Sequence, residues 1–307
     1  VVFGFLKGNK KNPATKAPKL GGNMASTILS VIGANAITPL PSSAQQAFTL
    51  ASDPKAEARD FIVVIEADEG LSGRILRVAN SVYFDRGKKT ETIEEAVLLI
   101  GVAELRCLLG ATSLSNLLPS KHPARGYLWG HDIAVAILAK NIASSVLPRS
   151  QDAAFIAGLM HDIGKLLLLQ RAEEKYLEVL KKVESEGRMF TTVEQDAFLF
   201  NHCEVGLLIA EKWNFTEELT SAIGHHHDIP SYPFTVASVV HCADTVAHAL
   251  GLGLPPSFNK LRTCFEEQLP TVFKYLGVSS SSQQNKMAQW KHAYEFEFEL
   301  YTNKQST

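Results

Sequence analysis

His161 and Asp162 stand side by side in the run AAFIAGLMHDIGKLLLLQ, Ala153 to Gln170. Leu159, Met160, Ile163 and Leu166 flank them, so both polar groups are expected near the core, where burial without partners is costly. They could satisfy each other and the nearby backbone, or they could hold a metal, and the second choice needs ligands from elsewhere. The chain offers several. His131 precedes the pair, His202 opens a later helix, and His225, His226 and His227 are consecutive at a helix end. His241, Asp244 and His248 recur at i, i+3 and i+7, one face of a helix. Neutral imidazole and carboxylate suit zinc, iron, manganese or nickel. A site of that kind with open positions makes hydroxide available near neutral pH. Lys165, one helical turn past the pair, could then neutralise a phosphate.

Each piece has a plainer reading. A single buried histidine is more often a hydrogen-bonded core residue than a ligand. The triple histidine could be a solvated helix end favoured by the C-terminal dipole, and Asp244 could simply pair with His241 or His248. The order and type of the whole set shift the balance towards metal.

The elements that must position these groups read as helices. Met24, Ile28, Val31 and Ile32 have helical spacing, and Ser42 or Ser43 caps a short helix that ends near Pro54. Phe61, Val64 and Ile65 line one helix, and Leu71, Ile75, Leu76 and Val78 the next, with Gly70 between them as a C-cap. Thr92 and Glu95 form a capping-box pattern, and Gly101 should divide the run TIEEAVLLIGVAELRCLLGATSL into two helices. GYLWGHDIAVAILAKNIASSVLP reads as a long amphipathic helix ending before Pro148, and Ser150 is the expected cap of the central helix, with Asp152 in its first turn. Gly187 stops the helix after it. The last segment, YEFEFELY, alternates as a strand would. Trp290, Tyr294, Phe298 and Tyr301 also share a helical face, and with no partner strand in evidence a helix is favoured.

Composition is that of an ordinary globular chain: 307 residues, 46% hydrophobic, 20% charged, net charge -2. That balance gives no global reason for nucleic-acid binding. Cys107, Cys203, Cys242 and Cys264 form no CxxC pair, so a reducing cytoplasm fits and a disulfide framework does not. No apolar run reaches the length of a membrane span. The basic residues of the first 22 positions follow the apolar ones, the wrong order for a secretory signal. They read as a linker or tail, with a basic arm touching nucleic acid or anionic lipid as the alternative.

The segments TPLPSSAQQAFTLASDP, LSGRILRVANSVYF, TIEEAVLLIGVAELRCLL, LWGHDIAVAILAKNIA, NHCEVGLLIAEKWNF and AIGHHHDIP resemble, in that order, the HDOD family. FIAGLMHDIGKLLL resembles the central motif of the HD superfamily of metal-dependent phosphohydrolases. The resemblance covers Ile37 to Leu250, and the runs Arg77–Ser81 and Leu128–His131 are its more specific pieces. It implies an all-α fold, an HD-domain-like multi-helical bundle with an N-terminal helical subdomain, and a bacterial signalling or regulatory role. By the same resemblance, His131, His161, Asp162 and Asp244 match the H…HD…D ligands. His202, His226 and His227 match the extra ligands of the related HD-GYP phosphodiesterases, with the triple histidine leaving the register open by one residue. Lys165 matches the lysine after the HD pair. Two departures stand out. The Asp-Gly-x-Gly-Tyr-Pro signature of HD-GYP enzymes is reduced to Tyr232–Pro233, and Tyr127 stands where an acidic ligand would be. Both set the chain apart from enzymes that cleave cyclic di-GMP.

The expected function is therefore a signal-transduction module that works through protein or ligand binding and keeps an HD-type site for one or two divalent ions (Fe, Mn, Zn, Ni or Mg). The alternative is a metal-dependent phosphohydrolase or phosphodiesterase acting on a nucleotide or cyclic dinucleotide, with Asp162 and Lys165 catalytic. A nucleotide sensor with an inactive site is a third reading. The expected partner is a signalling protein or a phosphate-containing small molecule, not a membrane or nucleic acid. The expected organisation is a flexible leader over 1–22, an N-terminal helical part over 23–120, the HD-like core over 121–256, and a C-terminal helical extension over 257–307 packed on that core. The short leader also suggests a stand-alone module.

Overall fold

Between Leu128 and Ala139 every residue of one helix is buried. That helix, Ala124–Val146, is the axis of the structure. The computed structural model describes residues 20–302 apart from 54, 85 and 116, so most of the expected leader lies outside the described residues. Among the described residues all regular structure is helical. In chain order the α-helices are α1 (Gly22–Ile32), α2 (Ser42–Ser52), α3 (Ala58–Glu66), α4 (Glu69–Ala79), α5 (Ile93–Ile100), α6 (Val102–Ser115), α7 (Ala124–Val146), α8 (Gln151–Met160), α9 (Ile163–Arg171) and α10 (Glu173–Glu186). They continue with α11 (Phe190–Phe198), α12 (His202–Lys212), α13 (Glu217–His225), α14 (Val236–Leu250), α15 (Asn259–Glu266), α16 (Leu269–Tyr275) and α17 (Gln283–Tyr301). No single helix among them is long and apolar enough to cross a membrane.

Local chemistry accounts for most boundaries. Thr92 Oγ1 accepts from Glu95 N at 3.2 Å and caps α5 as expected. Gly101, at φ +83°, turns α5 into α6 through 109°. Gly187 takes the left-handed conformation that ends α10. Tyr294, Phe298 and Tyr301 fall in α17, so the alternating YEFEFELY run is helical. Three details differ from expectation. Gly70 is not a C-cap: Ala67 closes α3 in the right-handed region, and the Asp68 side chain accepts from Leu71 N to start α4, placing Gly70 in its first turn. Ser150 occupies the N-cap position of α8 without a side-chain cap bond, because a 3-10 turn over Pro148–Ser150 leads into the helix. And α7 is not amphipathic over its middle, because it is covered by α8, α14 and α17 together.

The N-terminal part packs α2 on α6, with α3, α4 and α5 grouped beside them, and α6 on α8. Arg106 ties this part to the centre. Its buried guanidinium donates to the carbonyls of Asp53 and Ala56 and lies 3.7 Å from Asp152 at the start of α8. α1 departs from its neighbours in sequence and leans on α9 and α12. Arg171 donates to Ala36 O at 3.0 Å and Trp213 Nε1 to Thr38 O at 2.8 Å, which hold the connection in place. At the other end of the chain, α15 packs on α14 and α10, and α17 on α7 and α6. Leu261, Phe265, Val272, Phe273 and Tyr275 are all buried there, and the buried apolar residues from Ile28 to Tyr301 form one continuous core.

One close approach sets the surroundings of Asp162. A Cβ on Gly164, in the first turn of α9, would lie 2.0 Å from the carbonyl oxygen of His202 at the start of α12. Only a glycine lets the two helix starts meet, and that meeting brings His202 beside Asp162. Gly164→Ala should therefore cost about 1–3 kcal/mol or more of folding stability, as overpacking does. Chemical denaturation of the purified variant measures it.

Candidate metal centre

The helical run expected around His161 and Asp162 is broken there. α8 ends at Met160, α9 begins at Ile163, and Asp162 sits between them at φ -102°, ψ 15°. The break turns both side chains into the space enclosed by α7, α12, α13 and α14. His161 is fully buried, and Asp162 is 2% exposed.

All seven expected ligands meet in this space. His131 Nε2 lies 3.0 Å from Asp244 Oδ1, and His161 Nε2 lies 3.3 Å from Asp162 Oδ2 and 3.7 Å from Asp244 Oδ1. His202 Nε2 is 3.1 Å and His226 Nε2 3.6 Å from Asp162 Oδ1. His202 Nε2 is also 3.0 Å from His227 Nε2. The register of the triple histidine is thereby resolved: His226 and His227 face the cluster, whereas His225 is exposed and pairs with Asp228 at 2.7 Å. His227 is the member that reaches outward, its side chain 22% exposed. His241 stands apart from the cluster and bonds the His226 carbonyl through Nδ1.

The outer edge of each ring explains why the inner edges need a cation. His161 Nδ1 faces Gly158 O at 2.7 Å, His226 Nδ1 faces Ile223 O at 3.0 Å, and His131 Nδ1 faces Leu252 O at 3.3 Å. His202 Nδ1 faces the Glu194 carboxylate at 2.6 Å. These partners accept only, so Nδ1 carries the proton in each ring. A neutral ring then turns the bare lone pair of Nε2 towards the Asp162 or Asp244 carboxylate, lone pair against lone pair. His161 Nε2 and Asp162 Oδ1 are indeed buried without a hydrogen-bond partner. A divalent ion satisfies both sides at once, and a donor set of imidazoles and carboxylates fits Fe, Mn, Zn or Ni.

The local field agrees. Burial opposes charge on Asp162, but His161, Lys165 and His202 more than offset it and hold its pKa well below the usual carboxylate range. Asp244 is likewise depressed, because His248, His131 and His161 outweigh its burial. Burial also works against the His161 imidazolium, yet Asp162 and Asp244 hold its pKa well above the usual value. For His202, Glu194 overcomes burial and raises the pKa to about 10. Burial lowers His226 to about 4, and lowers His227 and His248 well below the ordinary value. A field that draws a proton onto His161 and His202 also draws a metal cation.

Lys165 is placed differently from a free phosphate-binding lysine. It is 2% exposed, its ammonium donates to Asp162 Oδ2, and it lies 4.1 Å from the centre of the Phe190 ring. In this position it orients the carboxylate.

Three further residues belong to the centre. Glu194, fully buried on α11, accepts from the His202 backbone N–H at 2.8 Å and from the Tyr176 hydroxyl at 3.0 Å, besides holding His202 Nδ1. His248 Nε2 lies 3.3 Å from Asp244 Oδ1. Asp132, beside His131, has both carboxylate oxygens buried without a hydrogen-bond partner and lies 4.0 Å from His161 Nδ1. For Glu194 and Asp132 no spacing pattern marks them out. For His248 the shared face with Asp244 was the available signal.

Comparisons with known proteins define the family and the fold. The HDOD domain profile matches residues 37–229, more than half of the chain. The chain belongs to the HDOD domain family. Its fold is that of an HDOD protein from Geobacter sulfurreducens (24% identical, TM-score 0.73, covering 92% of this chain and 97% of that one). A Shewanella amazonensis SB2B protein with a provisional phosphohydrolase name is similar (21% identical, TM-score 0.68, 92% and 98% covered). So is a Marinobacter aquaeolei VT8 protein with a provisional signal-transduction name (20%, TM-score 0.72, 91% and 66%). At these identities the likeness is one of fold. Among curated sequences, an uncharacterized protein of Treponema pallidum (strain Nichols) is 24% identical over 280 residues, 90% of this chain. The chain spans about half, 52%, of that relative. Ribonuclease Y of Thermus thermophilus is 30% identical over 161 residues, 51% of this chain and 22% of that protein.

The outer ring of contacts can be tested at two positions. Glu194→Gln keeps the size but weakens the hold on His202 Nδ1, and should lower metal affinity by about 10-fold or more, read by calorimetric titration. For Asp132, burial raises the pKa to about 8, against roughly 3.9 when unfolded. Between those values the native state holds a proton that the unfolded chain lacks, so this group costs more stability as pH rises through the window. Asp132→Asn removes the titration. Its thermal midpoint relative to the parent should therefore rise from pH 5 to pH 8, and a flat difference would contradict the assignment.

Proposed function

We propose that the chain is a signalling module that holds one or two divalent ions in a closed centre and uses the metal-stabilised helical body to bind a regulatory partner. The carrying observation is the inward convergence of Nε2 lone pairs from His131, His161, His202 and His226 onto Asp162 and Asp244. A bound ion links α7, α9, α12, α13 and α14 through their side chains, and therefore stabilises the arrangement of all five. The burial of the centre supports a structural or regulatory use of the ion, because apart from His227 its ligands are at most 2% exposed. So does Lys165, whose ammonium is committed to Asp162. A groove of about 1320 Å³ lies elsewhere, between α2, α4 and α17, and its lining includes none of the proposed ligands.

A second reading, a metal-dependent phosphodiesterase, is favoured by the gathering of the seven expected ligands in one space and by the partial similarity to ribonuclease Y. When bound, the ions would supply Lewis acidity and an acidified water. The chain's own contribution would be positional. Glu194 fixes the His202 tautomer, Lys165 orients Asp162, and His227 offers the exposed edge at which a phosphoester could approach.

Metal analysis of protein purified without chelator, followed by assays with cyclic dinucleotides, nucleotides and generic phosphodiesters, separates these readings. Bound metal that is lost in His161→Ala and Asp162→Ala, with a raised thermal midpoint and no turnover, supports the regulatory module. Saturating metal at about 100 times its Kd should add about 2.7 kcal/mol of stability. Turnover that disappears in the same variants establishes the enzyme instead. Metal content unchanged in both variants overturns the ligand assignment.

A further inference from the structure

We propose that His248 is a further protein ligand of the ion that His131 and Asp244 hold. The inference rests on the metal-centre reading above and extends it to a residue outside the resemblance-based ligand set.

The geometry points to one shared atom. His131 Nε2 lies 3.0 Å and His248 Nε2 3.3 Å from the same Asp244 oxygen, Oδ1. Potential ligand atoms of His131, Asp244 and His248 all lie within 4.8 Å of one another, close enough for a single ion to touch all three. The outer edge of His131 is committed to Leu252 O, which directs its Nε2 lone pair inward. His248 stands one helical turn after Asp244 on α14, so the two side chains share a face without any long-range adjustment.

Two neighbours fix the His248 ring. It is stacked on Phe265 of α15 with ring centres 4.1 Å apart and planes 13° apart, and it lies 4.2 Å from the His131 ring. A ring held on both sides loses little freedom on binding an ion, which favours a ligand over a mobile surface histidine. His248 is 4% exposed, so its polar edge requires a partner within the protein. His131 Nε2 and His248 Nε2 both face Asp244 Oδ1, and an ion between them serves both rings at once.

The surroundings leave room for the remaining coordination positions. His248 forms part of the wall of a pocket of about 490 Å³, together with Leu252, Phe258 and Arg262. This pocket lies on the α15 side of the centre. Two imidazoles and one carboxylate leave positions open on a first-row divalent ion.

Co²⁺ titration of the full chain, after chelator treatment and dialysis, tests the assignment by calorimetry and visible absorption. The variants are His248→Ala and His248→Phe, the second of which keeps an aromatic ring against Phe265 while removing the donor nitrogen. His161→Ala serves as the control for the centre as a whole. The expected result is Co²⁺ binding by the parent, at least one class of sites weakened about tenfold or more in both His248 variants, and a changed d–d spectrum. Parent-like affinity, stoichiometry and spectrum in a folded His248→Phe protein overturn the role of His248 while leaving the metal centre standing. No Co²⁺ binding by the parent overturns the metal centre itself, and this inference with it.

Discussion

Asp162 and Asp244 are buried carboxylates that face the lone-pair side of several imidazoles. Neither can be left unpaired at that depth, because an isolated buried charge is costly and a buried pair with one member removed is more costly still. Lys165 pairs with one oxygen of Asp162, and the remaining carboxylate oxygens and the rings are satisfied together by protons on His161 and His202 or by a metal. Every helix that forms the centre contributes to this one electrostatic requirement. α7 brings His131, the α8–α9 break brings His161 and Asp162, α12 brings His202, the end of α13 brings His226 and His227, and α14 brings Asp244. The apolar core supplies the driving force for collapse, but this polar centre dictates which helix faces meet.

The helices were legible in the sequence wherever local chemistry decides them. Thr92, Gly101 and Gly187 act through their own hydrogen bond or backbone conformation, and each does in the structure what its type demands. The seven proposed ligands could also be named, because a resemblance fixes their order even though they are scattered over more than a hundred positions. What escaped was set by tertiary contact. Gly70 looked like a helix end until Asp68 claimed the cap, and α7 looked amphipathic because its length masks a middle covered on all sides. Glu194 reads as one more surface acid in an ordinary helix. Its role exists only because α11 and α12 fold it over His202.

The register of His225 to His227 shows the same division in miniature. Sequence left it open by one residue. The structure resolves it through the end of α13: His225 is the last helical residue and turns outward, so the next two side chains turn inward. Membership of the HDOD family defines the scaffold but leaves the activity to the particular residues on it. Here the scaffold carries seven imidazole and carboxylate donors, with Tyr127 in the place of a further acidic one and the shortened Tyr232–Pro233 segment as its departures from the HD-GYP pattern.

Arg74 and α17 carry a consequence of another kind. Arg74, buried in α4, donates to the carbonyls of Leu300 and Tyr301 at 3.4 and 3.2 Å, and the Tyr301 hydroxyl donates to Glu104. The final turn of α17 is thus clamped onto the N-terminal helices, and Leu300 and Thr302 line the rim of the groove between them. The walls of that groove come from segments more than two hundred positions apart, so whatever loosens the last turn of α17 from α4 also changes the width of the groove.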